Sequence, residues 1–259
     1  MYPPITDPAI PERDRRLLVR FPRTLTPASF PPPLVRSLAD RLYEMAQGPF
    51  AGLFLSLAQT AAWFEGAEVK AARAARHYHR RYVLPSDLDR EGQQLVVRAR
   101  AAHRTVLESE VNRYGMLDTI ANNVVFPQQI WEIAWMAHRQ TVLRAEQLTV
   151  SRSEMTPALA AVVGPQREAI ERSAAGIGRR VELLEQYAQR VRAADSALVA
   201  QRMMAQNDKY RDLLAQTHDQ QAIRGLAEEA RRMETQLQNS VLAAVEAGQA
   251  LALPRDPLF

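Results

Sequence analysis

The distribution of proline is the feature that most limits what this chain can fold into. Nine of its sixteen prolines fall within residues 1–33, and none occurs between Pro165 and Pro254. Because proline fixes φ and has no backbone N–H, residues 1–33 are predicted to form an extended arm without a helix or an inner strand. Residues 166–247 are rich in Ala, Glu, Gln, Arg and Leu and are predicted to form very long helices. The expected fold class is therefore all-α.

Residues 34–150 are predicted to form a helical bundle of about four helices after the Pro-rich extended arm. Apolar side chains recur there at helical spacing, with breaks at glycine-proline, leucine-proline and asparagine-asparagine pairs. The predicted helices span residues 34–48, 50–81, 86–118 and 127–148. Ser86 is the expected N-cap of the third helix. The fourth helix is apolar nearly all round and carries Trp131 and Trp135, so it is expected in the middle of the bundle.

Residues 166–250 are predicted to form a long antiparallel coiled-coil-like helical hairpin, after a linker at 151–165 and before a tail at 251–259. Apolar residues recur there at steps of four and three, which is the pattern of a coiled-coil seam, with Asp195 as one polar fault. The seam residues predicted to mediate protein interaction are Ile177, Val181, Leu184, Val191, Leu198, Ile223, Leu226, Met233 and Leu237. Small and polar members weaken this seam, so a further helix is expected to complete it, either from a second copy or from the N-terminal bundle.

Composition limits the class of protein. At 259 residues and 47% hydrophobic content, the chain is large enough to bury a core. The absence of cysteine excludes disulfides and thiolate metal ligands. Prolines soon after Met1 replace the apolar stretch of a signal peptide, so a cytoplasmic location is expected. Nearly all basic residues are arginine, as expected of a GC-rich bacterial genome, and the net charge of +4 does not by itself predict nucleic-acid binding.

No metal ion or cofactor is expected from the histidines and carboxylates. No histidine has the Glu-x-x-His or His-Glu-x-x-His spacing of helical metal sites. The segment Asp87–Gly92 resembles the opening of a calcium-binding loop, but Arg98 occupies the position of the closing carboxylate, so a capped helix start explains the acids better. His138 follows the two tryptophans on one helix face and is interpreted as a buried, hydrogen-bonded histidine rather than a catalytic base.

One cluster of basic residues supports a functional hypothesis. Residues 67–104 contain nine basic and four acidic side chains. The candidate anion-binding residues, on one face of the predicted second helix and at its end, are Arg73, Arg76, Arg80 and Arg81. Such a face would contact the phosphates of an anionic membrane surface or of nucleic acid. The favoured alternative is a solvated face whose arginines pair with acids of neighbouring helices.

Three functional hypotheses follow. The favoured one is a non-enzymatic helical scaffold that self-associates as a homo-oligomer, or binds another helical protein, through the C-terminal hairpin. The second is peripheral binding to an anionic membrane surface or nucleic acid through the basic face. The third is an enzyme with a pocket between helices that gathers His138, a carboxylate and a tryptophan. No transmembrane span is expected, because Gly48-Pro49 interrupts the charge-free run from Met45 to Phe64.

Overall fold

The computed structural model describes residues 3–28, 52–53, 55–57, 66–150, 156–205, 210 and 220–252. Within these ranges the chain is mostly helical with one two-stranded sheet, which confirms the all-α prediction. The predicted helix over 34–48, the turn of the hairpin predicted at Thr217-His218-Asp219 and most of the predicted tail lie outside the described residues. Two compact units divide the chain differently from the predicted domains: Met1–Gln93 with Ala137–Val142, and Gln94–Met136 with Leu143–Phe259.

The strands are β1 (Ile5–Thr6) and β2 (Tyr82–Val83). The helices are α1 (Glu12–Arg20), α2 (Ala67–His77), α3 (Arg90–Glu108), α4 (Glu110–Arg113), α5 (Phe126–Val150), α6 (Pro157–Ala205) and α7 (Gln220–Ala252). A π-helical turn (Ala121–Val125) leads directly into α5. Short 3-10 turns occupy Pro22–Thr24 and Pro85–Asp87.

The first unit contains both a helix and a strand within residues 1–33, so the prediction of an arm without helix was wrong. Helix α1 fits between Pro11 and Pro22, and its own residues include no proline. Acidic residues in its first turn and Arg20 in its last turn complement the helix dipole. Strand β1 pairs antiparallel with β2. The core that holds these elements to α2 consists of Ile10, Leu18, Leu25, Ala74, Ala75, Tyr78 and Tyr82.

Helix α2 ends at His77, before the predicted end at residue 81. Arg80 adopts φ of 68°, in the left-handed region that a helix cannot continue through. The chain then enters β2, whose two side chains are both buried. Arg80 and Arg81 therefore do not share a helical face with Arg73 and Arg76, and this part of the sequence prediction was wrong.

The predicted third helix is divided into two helices whose starts are fixed by side-chain caps. Asp89, rather than Ser86, caps α3, because its Oδ1 accepts a hydrogen bond from the Gly92 N–H at 2.7 Å. Ser109 separates α3 from α4, and its Oγ accepts a hydrogen bond from the Asn112 N–H at 3.2 Å. Local polar side chains thus set helix ends that apolar periodicity alone does not predict.

Asn122 and Asn123 belong to the π-helical turn instead of a loop between helices. The Phe126 N–H donates to the carbonyl of Ala121, which is the longer spacing of a π-helix. Pro127 explains the widened turn, because its ring clashes with the carbonyl one turn earlier and it has no N–H to donate. The turn places the Asn122 side chain in the interior, where it is 0% exposed.

Helix α6 is continuous over 49 residues and passes through Pro165. The predicted linker is therefore helical from Pro157 onward, which corrects the expectation that Gly164 and Pro165 end the linker. Proline removes one backbone hydrogen bond inside a helix, but the residues on both sides continue the helix across that gap. At about 1.5 Å per residue, α6 is about 74 Å long.

Contacts along α6 show what packs against it in the second unit. From α3, Arg98 pairs with Glu185 at 2.7 Å. From α5, Glu132 pairs with Arg180 at 3.2 Å. Helices α3 and α5 of the same chain therefore both contact α6, and how the α6 seam is completed stays a prediction.

Two glycines in the long helices are expected to respond differently to alanine. Gly178→Ala should raise the free energy of unfolding by about 1 kcal/mol, because glycine is a poor helix former and nothing lies within 4 Å of the added Cβ. In Gly248→Ala the added Cβ would lie 3.3 Å from the Tyr187 hydroxyl, so this gain should be lost. Urea denaturation measures both changes, and equal stabilisation would contradict the close approach at Gly248.

Candidate interaction groove and buried polar network

An open groove runs between α6 and α7 in the second unit. Its volume is about 650 Å³. The lining residues are Arg190, Ala193, Arg231, Arg232, Thr235, Gln236, Asn239, Ser240 and Ala243. Three of them are arginines and none is acidic, histidine or tryptophan. The groove therefore offers positive charge together with amide and hydroxyl groups.

The arginines lie at the two ends of the groove. Arg190 Nη1 donates to the carbonyl oxygen of Ala243 at 3.2 Å, which holds this guanidinium group at one end. Arg231 and Arg232 lie towards the other end, and α7 rises about 18 Å between them and Ala243. Arg232 also pairs with Glu229 at 3.4 Å, an exposed ion pair of small energetic value.

A buried polar network centred on Asn122 lies in the same unit. The Tyr187 hydroxyl donates to Asn122 Oδ1 at 2.7 Å. The Asn122 side-chain amide in turn donates to Asn112 Oδ1 at 2.9 Å, and His103 Nε2 donates to the Asn122 backbone carbonyl at 3.2 Å. Three separate parts of the chain are thereby linked to α6. A satisfied buried network of this kind favours a single arrangement of the helices that supply it.

The Phe126 ring packs beside this network, and burial shifts the pKa values of two of its side chains. The Phe126 ring lies 4.8 Å from the His103 ring and 6.1 Å from the Tyr187 ring, measured between centroids. Burial raises the pKa of Tyr187 to about 12. Burial also lowers the pKa of His103, against the smaller opposing effect of its hydrogen bond. Both side chains are therefore neutral at pH 7.

Tyr187 is expected to make stability fall between about pH 10 and pH 12. Its pKa is about 12 in the folded protein against 10.0 for an ordinary tyrosine. The folded state thus holds the proton more tightly, so the stabilisation is complete below pH 10 and is lost as the pH rises through 12. Urea denaturation across this range should show a steeper loss for wild type than for Tyr187→Phe. Parallel pH profiles for the two proteins would contradict the assignment.

The polar fault predicted at Asp195 has a structural explanation. Its Oδ1 accepts a hydrogen bond from the Val111 N–H at 2.9 Å, in the first turn of α4. Amides in a first turn have no partner within their own helix, so a carboxylate is favourable there. Arg202 and Glu110 form an ion pair between the same two helices. This polar position in the seam is therefore a specific contact with the N-terminal half of the chain.

Most predicted seam residues are buried within this chain. The buried members are Ile177, Val181, Leu184, Val191, Leu198 and Leu237. Leu226 and Met233 are half-buried, and the side chain of Ile223 lies outside the description. That these residues mediate protein interaction stays a prediction, and a partner would have to bind beside the buried seam.

The groove residues lie off this apolar seam, which is why the sequence did not single them out. On α7, Arg232, Gln236, Asn239 and Ala243 follow one another at steps of four, three and four, so they share one helical face. That periodicity is visible in the sequence. Which residues of α6 lie opposite this face of α7, however, depends on how the two helices pack.

The four candidate anion-binding arginines have different surroundings in the first unit. Arg73 and Arg76 are exposed on α2, and Arg80 is exposed in the turn that follows. Arg81 is half-buried and pairs with Asp7 at 2.8 Å. Arg81 therefore helps to hold the N-terminal segment, and anion binding by the four arginines stays a prediction.

His138 is held in the first unit by a hydrogen bond to the backbone. His138 is buried, and its Nδ1 donates to the backbone carbonyl of Asp87 at 3.1 Å, as expected of a hydrogen-bonded core histidine.

Among the residues that the structure describes, no group of histidines and carboxylates is placed to hold a metal ion. Over those same stretches of chain, no helix combines the length and apolar character needed to cross a membrane.

Comparisons with known proteins give no relative from which a function could be transferred. No protein-family model, curated protein or solved structure matched this chain.

Proposed function

We propose that this chain is a non-enzymatic helical scaffold that binds another helical protein, or a second copy of itself, through α6 and α7. The observation that carries the proposal is the mismatch of helix lengths. Helices α3 and α5 contain 19 and 25 residues, whereas α6 contains 49. At about 1.5 Å per residue, neither α3 nor α5 is longer than about half of α6, and α7 with 33 residues is also shorter than α6. The consecutive residues 164–169 of α6 are all exposed.

The contacts between α6 and α7 support an antiparallel pair of helices. The Tyr187 ring lies against Gly248, and Arg190, further along α6, contacts Ala243, which is earlier in α7. Positions therefore rise along one helix as they fall along the other. An antiparallel pair with a buried seam provides a firm surface on which a partner helix packs.

Exposed apolar side chains on these helices favour a protein as the ligand. Met203 is 65% exposed and Leu242 is 59% exposed, and both are large apolar residues. Val162 and Val199 add to this exposed apolar surface on α6. Covering exposed apolar side chains with another protein removes them from water, which favours the bound state.

Site-specific photo-crosslinking in the source cells tests this function. A photoreactive amino acid at Met203 or Leu242 should give a discrete crosslinked product. The same amino acid at Val19, an exposed apolar position on α1, is the matched control. Light scattering coupled to size exclusion then distinguishes a second copy from a different protein. Absence of a product at both α6 and α7 positions would contradict the scaffold proposal.

Peripheral binding to an anionic surface is a second candidate function, favoured by one structural observation. Helix α1 packs against α2, and it brings exposed arginines that a proline-rich arm would not have placed there. These residues are Arg13, Arg16 and Arg20. If the surface binds anions, Arg76→Glu should weaken sedimentation with vesicles of anionic lipid and leave the circular dichroism unchanged. Unaltered sedimentation would remove this candidate.

A further inference from the structure

We propose that the groove between α6 and α7 is a docking site for an acidic amphipathic helix of a different protein. The proposal deepens the scaffold function and rests on it. Three arginines and no carboxylate line the groove. A ligand with carboxylates therefore meets complementary charge, and guanidinium groups bind carboxylates with short, strong hydrogen bonds.

The small residues among those that line the groove suit the close approach of a helix. Ala193 of α6 and Ala243 of α7 are small, and Ser240 adds one more short side chain. Short side chains between two packed helices leave room for a third helix at the usual interaxial distance of about 8–10 Å. The groove thus accepts a helix backbone where larger side chains would exclude it.

Four lining residues of α7, three of them polar, repeat with the spacing of one helical face. Arg232, Gln236, Asn239 and Ala243 follow one another at steps of four, three and four along α7. Gln236 and Asn239 lie between the terminal arginines and offer amide N–H groups to a ligand. The groove extends about 18 Å, the length of about 12 helical residues. The matching ligand has carboxylates repeated over about three turns of one face.

A single-stranded nucleic acid fits this groove less well, although it is also anionic. Such strands are held by stacking their bases on aromatic side chains, and none of the nine lining residues is aromatic.

Acidic residues of α6 and α7 outside the groove limit where a ligand can place its carboxylates. On α7, Glu229 pairs with Arg232, and Glu228 precedes Arg231 by about one turn without lining the groove. On α6, Glu185 is already paired with Arg98 of α3. A partner that places its carboxylates only within the groove avoids these acids.

The test uses the full-length protein and two labelled peptides. One is an alanine-based helix of about 14 residues with glutamates at spacings of four, three and four. The other carries glutamine at the same positions. Fluorescence anisotropy at about 50 mM salt should show the glutamate peptide binding at least about tenfold more tightly than the glutamine peptide.

Variants locate the binding site. The double variant Arg190→Gln/Arg231→Gln should weaken binding of the glutamate peptide about tenfold or more. Arg104→Gln, an exposed arginine of α3 outside the groove, is the matched control and should stay within about twofold. Circular dichroism checks that both variants keep their helix content. Equal losses in the control and the double variant would overturn the proposal.

Other occupants are distinguished by the same protein samples. A dimer that dissociates in the double variant would show that a second copy fills the groove, and would overturn the proposal. So would displacement of the peptide by a single-stranded oligonucleotide of about 12 thymidines. If neither peptide binds while crosslinks form at Met203 or Leu242, the groove assignment fails and the scaffold function stands.

Discussion

Replacing Leu184 by aspartate is expected to lower the free energy of unfolding by about 4 kcal/mol or more. The Leu184 side chain is 1% exposed in the seam of α6. The substitution removes a buried apolar side chain, which alone costs about 2–5 kcal/mol, and it places a carboxylate within the apolar seam. Urea denaturation followed by circular dichroism measures the loss.

Leu242→Asp is the matched control for this prediction. Leu242 is the same residue type on α7 but is 59% exposed, so its carboxylate would remain in water. Its effect on stability should stay within about 0.5 kcal/mol. Comparable losses for Leu184→Asp and Leu242→Asp would contradict the packing of the seam.

Replacing Asn122 by alanine is expected to cost about 3 kcal/mol of stability. Asn122 is 0% exposed and accepts the hydrogen bond of the Tyr187 hydroxyl while donating to Asn112. Its removal leaves the buried Tyr187 hydroxyl and the half-buried Asn112 side chain without that partner, and an unpaired buried polar group costs about 1–3 kcal/mol. Thermal and urea denaturation should both report this loss.

Asn123→Ala separates the role of the hydrogen bonds from the role of the backbone. Asn123 lies in the same π-helical turn, but its side chain is exposed. Its replacement should change stability by less than about 0.5 kcal/mol. In a double-mutant cycle, Asn122→Ala and Tyr187→Phe should couple by at least about 0.5 kcal/mol. Additive effects would mean that the Tyr187 hydrogen bond is not a source of stability.

The long helices were the part of the fold that the sequence predicted well. Residues that favour helices and apolar residues at steps of four and three both continue over many turns, so the helical region beyond residue 166 was expected. The effect of proline was predicted wrongly in two places. Pro11 and Pro22 flank a helix rather than prevent one, and Pro165 is carried inside α6. A proline removes one backbone N–H donor, but the packing of the surrounding residues decides whether the helix continues.

The candidate site was less predictable because its parts are distant in the sequence. Asn112, Asn122 and Tyr187 form one network, yet nothing in their spacing marks them as neighbours. The groove combines Arg190 of α6 with Arg231 of α7, which come together only through helix packing. Charge and periodicity can be read along one helix, but pairing between helices depends on side chains buried at their contact.

The contacts of α6 with α3 and α4 also determine when this helix can become stable during synthesis. Its partners Arg98 and Val111 lie more than 80 residues before Glu185 and Asp195, so they leave the ribosome first. A nascent α6 therefore finds part of its packing surface already made. Contacts at such large sequence separation form slowly during refolding of the complete chain, since a long loop must close before they form. Vectorial synthesis therefore brings the partners of α6 within reach before α7 is translated.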